Sequence, residues 1–160
     1  MSYRIDPEAA DFIRSGLSIT LAAASPACVP SLSRALAAEV VGEDELRIFL
    51  IAGTAQAVLR DLECSWRVAI VFSRPSTHRT LQIKGRLVGV DPVDDAWLET
   101  VHRQMEAFSA DLRLIGHAPG FAATLLGFER RALRCLRVRA ETGFQQTPGP
   151  GAGRPLGASS

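Results

Sequence analysis

Apolar and polar positions alternate with period two along much of this chain as far as Val90, then switch to a helical period. Asp6-Pro7-Glu8 through Arg14 opens with a short helix: Asp6 is placed to cap it, Pro7 suits the first turn and Glu8 favours the dipole. A first strand follows at Ser18 to Ala24, ended by Ser25-Pro26. Val29 to Val41 reads as one long second strand, with Leu32, Leu36, Ala38 and Val40 on its apolar parity and Ser31, Ser33 and Glu39 on the other. Gly42-Glu43-Asp44 is a polar turn into a third strand, Leu46 to Ala52.

Beyond Gly53, Thr54 is expected to cap a short helix from Ala55 to Glu63. Arg67 to Phe72 is a β-branched run that reads as a fourth strand buried on both faces. After a turn at Ser73-Arg74-Pro75-Ser76, a long fifth strand spans roughly His78 to Val90, and Gly85 and Gly89 mark bulges in it. Trp97, Val101, Met105, Phe108 and Leu112 then recur at steps of three and four and form the apolar stripe of a substantial helix. Gly116 to Gly120 breaks that helix, Phe121 to Phe128 can form another, and Ala132 to Ala140 is the last strand. The expected domain runs over residues 1–142. Residues 143–160, with five of the 13 glycines and three of the 9 prolines, read as a tail without regular structure.

These elements imply an α+β, mainly β fold: a six-stranded antiparallel split β-barrel with peripheral helices. A curled sheet also removes the exposed edges that a flat six-stranded sheet would carry. With 160 residues, 47% of them hydrophobic, the chain suits one globular domain. The net charge of +1 gives no bulk field toward nucleic acid or acidic lipid. No apolar stretch is long enough to span a bilayer, and the first residues lack the layout of a signal peptide, so a cytoplasmic protein is expected. Cys28, Cys64 and Cys135 are too scattered for a disulfide framework or a zinc site, and His78, His102 and His117 have no metal-like spacing.

The familiar catalytic motifs are absent: no G-x-G-x-x-G, no P-loop, no H-E-x-x-H, no G-x-S-x-G. The chemistry that remains is polar side chains in strands. Lys84, the only lysine beside 17 arginines, shares a strand face with Thr80 and Gln82, while Leu81 and Ile83 lie on the opposite one. That row of hydroxyl, amide and ammonium groups matches the acceptors of a phosphate or heteroaromatic carbonyl, and it is expected to line the inner wall of the barrel. Thr54 and Gln56, at the start of the second helix, suit an anion at the positive end of the dipole. Arg34, on the apolar parity of its strand, needs a partner if it faces inward, and a bound phosphate would serve. Each of the three admits a plainer reading, as a solvated sheet face, a helix start or an edge position.

The run from Arg67-Val68-Ala69-Ile70-Val71-Phe72 through Arg79-Thr80-Leu81-Gln82-Ile83-Lys84-Gly85 resembles the central part of the pyridoxamine 5'-phosphate oxidase-like proteins. So does the tail Phe144-Gln145-Gln146-Thr147-Pro148-Gly149. The resemblance implies an FMN-binding split barrel that forms a homodimer, with two cofactor sites at the subunit interface and a small-molecule substrate. It also implies phosphate contacts at Arg34, Thr54 and Gln56, with Thr80 at the position of the family's flavin-contacting glutamine and Gln82 and Lys84 beside it. Ala55 and Gln56 stand where the oxidase carries an arginine–lysine pair, and its C-terminal arginine motif is absent, which speaks against pyridoxamine phosphate oxidation itself. The expected function is that of an FMN-dependent oxidoreductase. The alternatives are a non-catalytic flavin- or haem-binding barrel, or a dimerising scaffold with Trp97, Val101 and Phe108 at its interface.

Overall fold

The computed structural model describes residues 3–157. Helix α1 (Pro7–Ile13) starts as expected: the Asp6 carboxylate accepts from the Ala9 amide at 2.8 Å, and Pro7 occupies the first turn. The strands are β1 (Ser18–Ala24), β2 (Pro30–Ala35), β3 (Ala37–Val41), β4 (Glu45–Ile51), β5 (Arg67–Ser73), β6 (Thr80–Pro92) and β7 (Leu133–Gln145). Helix α2 (Gln56–Ser65) lies between β4 and β5, and α3 (Asp95–Leu114) and α4 (Phe121–Leu126) lie between β6 and β7. The strands form one antiparallel sheet in the order β2-β1-β5-β6-β7-β4-β3.

The sheet has seven strands where six were expected, and it does not close into a barrel. The long run from Val29 to Val41 divides at Leu36, whose amide donates to the Phe49 carbonyl at 2.8 Å. The break changes which parity is buried. β2 buries Ser33 and Ala35, whereas β3 buries Ala38 and Val40, so Leu32 is 68% exposed and Arg34 also points outward. A uniform period of two across the whole run placed both on the wrong face. The two edges of the sheet, β2 and β3, are thus consecutive in the chain, and the sheet curls between them.

Two cores lie on opposite faces. The inner one gathers Ile19, Leu21, Ile48, Ile70, Phe72, Ile83, Leu136 and Val138, and α1 and α2 pack Phe12, Ile13, Val58 and Leu62 into it. The outer one lies under α3, whose stripe residues Val101, Phe108 and Leu112 meet Phe49, Leu133 and Cys135 of β4 and β7. Trp97 stacks on Phe49 of its own chain, with ring centroids 5.5 Å apart. Val101 and Phe108 are thus spent on packing within the chain, while Trp97 stays half-buried. Burying polar Gln104 (1% exposed) in this helix requires partners: its amide group accepts from Ala38 N at 3.0 Å and donates to Ala38 O at 2.7 Å. It thereby ties α3 to the edge strand β3.

The glycines of β6 act as expected. The β6–β7 register shifts at Lys84/Gly85 and at Leu87/Gly89. A Cβ on Gly85 would stand 2.1 Å from the Arg139 carbonyl oxygen, so only glycine permits this approach. The chain past residue 142 is more ordered than its composition suggests. β7 continues to Gln145, and the tail folds back to pair Phe144 with Pro155, with Gly153 N donating to Gln145 O at 2.7 Å and Leu156 N to Gly143 O at 2.8 Å. Among the described residues, no helix is long and apolar enough to cross a membrane.

Candidate functional site

Helix α3 covers the outer face of the sheet at β3, β4 and β7, but among the described residues nothing covers that face at β2, β1, β5 and β6. The strand sequences anticipate a cover there. β5 is apolar on both faces, yet only Val68, Ile70 and Phe72 are buried, while Ala69 and Val71 are half-buried, which corrects the expectation of two buried faces. The row Thr80, Gln82, Lys84 lies on this same outer face, so its expected place on an inner wall is also corrected: Leu81 and Ile83 face the core instead.

Strand register shows which of these groups are neighbours. One row across the face reads Arg34, Thr20, Val71, Gln82, Phe144; the next reads Leu32, Ala22, Ala69, Lys84, Thr142. With strands about 4.8 Å apart, Arg34 and Gln82 stand three strands, or about 14 Å, from each other. The face is therefore a platform with a guanidinium at one end and an amide and an ammonium at the other.

Arg34 overhangs a cleft of about 410 Å³ lined by Thr20, Leu32, Ser33, Leu36, Ile51 and Thr54. Its only side-chain hydrogen bond among the described residues goes to Ser18 Oγ at 3.3 Å, and it has no carboxylate partner there. Thr54 meets Arg34 in this cleft but does not cap α2: its hydroxyl donates to Ile51 O at 3.1 Å. The N-cap residue is Ala55, which has no side chain able to accept, so the first amides of α2 are uncapped. An arginine without a carboxylate and, next to Thr54, the free amides of an uncapped helix start are donors suited to a phosphate monoester, while the Thr54 hydroxyl proton is already given to Ile51. Gln56, exposed on the first residue of that helix, adds its backbone amide.

The remaining expected residues divide. The Gln82 side-chain amide has no partner among the described residues and stays available on the platform. Thr80 is already engaged: its hydroxyl lies 2.9 Å from Ser73 Oγ and 3.0 Å from the His78 carbonyl, and its amide donates to Thr147 Oγ1 at 2.9 Å. Lys84 belongs to a separate cleft, with its Nζ 5.2 Å from the centroid of the Phe144 ring. Among the described residues no cluster of histidine, cysteine, aspartate and glutamate is suited to a metal ion. Burial pushes the Cys135 thiol up to about 11 and the Tyr3 phenol up to about 12, but both are packed away from the platform. Sequence reasoning missed Thr20 and Phe144 in the platform row. Thr20 was legible as an outward strand position, whereas Phe144 was placed in the tail, and only the register joins either to Arg34 and Gln82.

No protein-family model matches the sequence, and no curated protein matches it either. Solved structures do. A Lactobacillus delbrueckii protein assigned as a pyridoxamine 5'-phosphate oxidase superposes with a TM-score of 0.56 at 13% identity, covering 90% of this chain and 99% of that one. An FMN-binding protein of Syntrophomonas wolfei gives 0.53 at 12% identity over 97% and 90% of the two chains. The haem-storage protein HutZ of Vibrio cholerae gives 0.51 at 17% identity over 89% and 94%. At such identities the likeness concerns architecture, and the chain has the fold of the pyridoxamine 5'-phosphate oxidase-like, FMN-binding split-barrel proteins.

Proposed function

We propose that this chain is an FMN-dependent oxidoreductase acting on a small molecule, and that it works as a homodimer whose cofactor lies on the uncovered sheet face. The observation that carries the reading is the cleft shared by Arg34, which has no carboxylate partner among the described residues, and Thr54, which stands immediately before the uncapped start of α2. Arg34 and, beside Thr54, the amides of Gln56 and Ala57 hold the phosphate. Thr20, Val71 and Gln82, neighbours across β1, β5 and β6, would hold the flat ring system, Gln82 with its unpaired side-chain amide. The bound flavin supplies hydride and electron transfer. The protein orients the ring, fixes the phosphate by charge and excludes water from one face. No general acid or base is required for that division of labour.

A second copy of the chain is the proposed cover for the rest of the face. Leu32 at 68% exposure and the half-buried Ala22, Ala69 and Val71 make an apolar strip on the uncovered face of the sheet. The mass in solution tests this, and a monomer would refute it.

One feature favours the non-catalytic alternative, a flavin- or haem-binding barrel: with Ala55 and Gln56 at the helix start, Arg34 is the only cation among the described residues that line the phosphate cleft. The deciding experiment adds FMN to the purified protein, follows quenching of its fluorescence, then adds NADPH or NADH without oxygen. Loss of the flavin absorption band upon addition is expected for the enzyme. A stably bound, unreduced flavin would establish the binder, and absence of FMN binding would refute both flavin readings.

A further inference from the structure

Arg34 reaches the phosphate cleft from an exposed position on β2, an edge strand. A long guanidinium side chain there, with no carboxylate to hold it, would spread over many rotamers. One contact fixes its direction. In the β1–β2 register Arg34 stands opposite Thr20, so Ser18, two residues along β1 on the same face, is its diagonal neighbour and within reach of a long side chain. The Arg34 Nη1 group donates to Ser18 Oγ at 3.3 Å, and among the described residues the Ser18 hydroxyl has no other hydrogen-bond partner. Ser73, opposite Ser18 on β5, differs: its hydroxyl is engaged with Thr80 Oγ1 at 2.9 Å.

We infer that Ser18 is a positioning residue for the phosphate cleft, orienting the Arg34 guanidinium without neutralising it, a role that rests on the phosphate reading above. The residue type decides the outcome. A carboxylate at position 18 would hold Arg34 more firmly but would cancel the charge that an anionic ligand needs. An apolar side chain would leave Arg34 without a side-chain partner among the described residues, and the ligand would then have to order it on binding. A hydroxyl takes a single guanidinium N–H and leaves the charge and the remaining donors to the ligand.

Affinities for FMN and riboflavin, read by quenching of flavin fluorescence on the full chain, test this in Ser18→Ala, Ser18→Thr and Ser18→Asp. Ser18→Ala should weaken FMN binding about threefold, the factor of one modest hydrogen bond, and leave riboflavin binding unchanged. Ser18→Thr keeps the hydroxyl and suits a strand, so it should restore the wild-type ratio of the two affinities. Ser18→Asp should weaken FMN binding more than alanine does, by about tenfold. Ser73→Ala, one strand away in the same row, should leave the ratio unchanged. In the Arg34→Ala background, Ser18→Ala should cause no further loss, because Ser18 acts through Arg34. Parallel loss of both ligands in Ser18→Ala, FMN binding to Ser18→Asp as tight as to the wild type, or a further loss on top of Arg34→Ala would overturn the inference. A wild type that binds FMN and riboflavin equally would overturn the phosphate reading and this inference together. A wild-type preference for FMN that survives intact in Ser18→Ala would overturn this inference alone.

Discussion

Replacing Gln104 with methionine isolates one contact on which the placement of α3 depends. The two side chains are similar in length and volume, so the change leaves the packing around Val101 and Phe108 nearly intact and removes only the paired hydrogen bonds to Ala38. Ala38 is fully buried on an edge strand, so its N–H and C=O would have neither a strand neighbour nor water to replace Gln104. Each orphaned backbone group costs about 1–3 kcal/mol, which puts the penalty for the two at about 2–6 kcal/mol. That is a large part of the total stability of an ordinary domain, about 5–15 kcal/mol. For a chain of this length it corresponds to a melting temperature lower by about 5–15 °C. Urea unfolding should show a lower midpoint at unchanged slope, and hydrogen exchange should show the Ala38 amide losing protection first. A destabilisation below about 1 kcal/mol, or an Ala38 amide as protected as in the wild type, would refute the view that Gln104 stands in for a missing strand.

Gln104 also shows what the sequence conceals. The helical stripe was legible because apolar residues recur at fixed steps, and it packs as the spacing implies. A single glutamine one position from that stripe reads as surface until β3 is seen to end the sheet beneath it. The same holds for Arg34 and Leu32. Their faces follow from a break at Leu36 that no turn residue announces, because the break is set by the Leu36 amide reaching Phe49 on another strand. The bulges at Gly85 and Gly89 were legible, since glycine within a strand has few other uses. The composition of the tail concealed its pairing, because backbone hydrogen bonds to β7 do not depend on side-chain character. As for the candidate site, the residue types were legible in Arg34, Thr54, Gln82 and Lys84. The separation of Arg34 and Thr54 in one cleft from Lys84 in another, with Gln82 on the platform outside both, was not, because it depends on the register of four strands.

Two further outcomes follow from local geometry. Gly85→Ala forces a methyl group against the Arg139 carbonyl, which must move the β6–β7 pairing; thermal unfolding should show a loss of several degrees, and a wild-type melting curve would contradict the close approach. Cys135 is a thiol whose pKa burial pushes up to about 11 from 9.0, so the folded state holds its proton more tightly than the unfolded chain does. Its stabilising contribution is then complete below pH 9 and lost as pH rises from 9 toward 11, and the raised Tyr3 phenol extends the decline above pH 10. Stability measured across pH 8 to 11 should fall more steeply in the wild type than in Cys135→Ala, and identical slopes would contradict the assignment.

The central claim is that a phosphate on the ligand is held by Arg34 and the uncapped start of α2, and the affinities of FMN and riboflavin in wild type and Arg34→Ala test it directly. The two ligands share the ring and differ by the phosphate. The wild type should favour FMN by at least about tenfold, and Arg34→Ala should lose most of that preference while binding riboflavin as before. Equal affinity for the two ligands in the wild type, or an undiminished preference for FMN in the variant, would contradict the account.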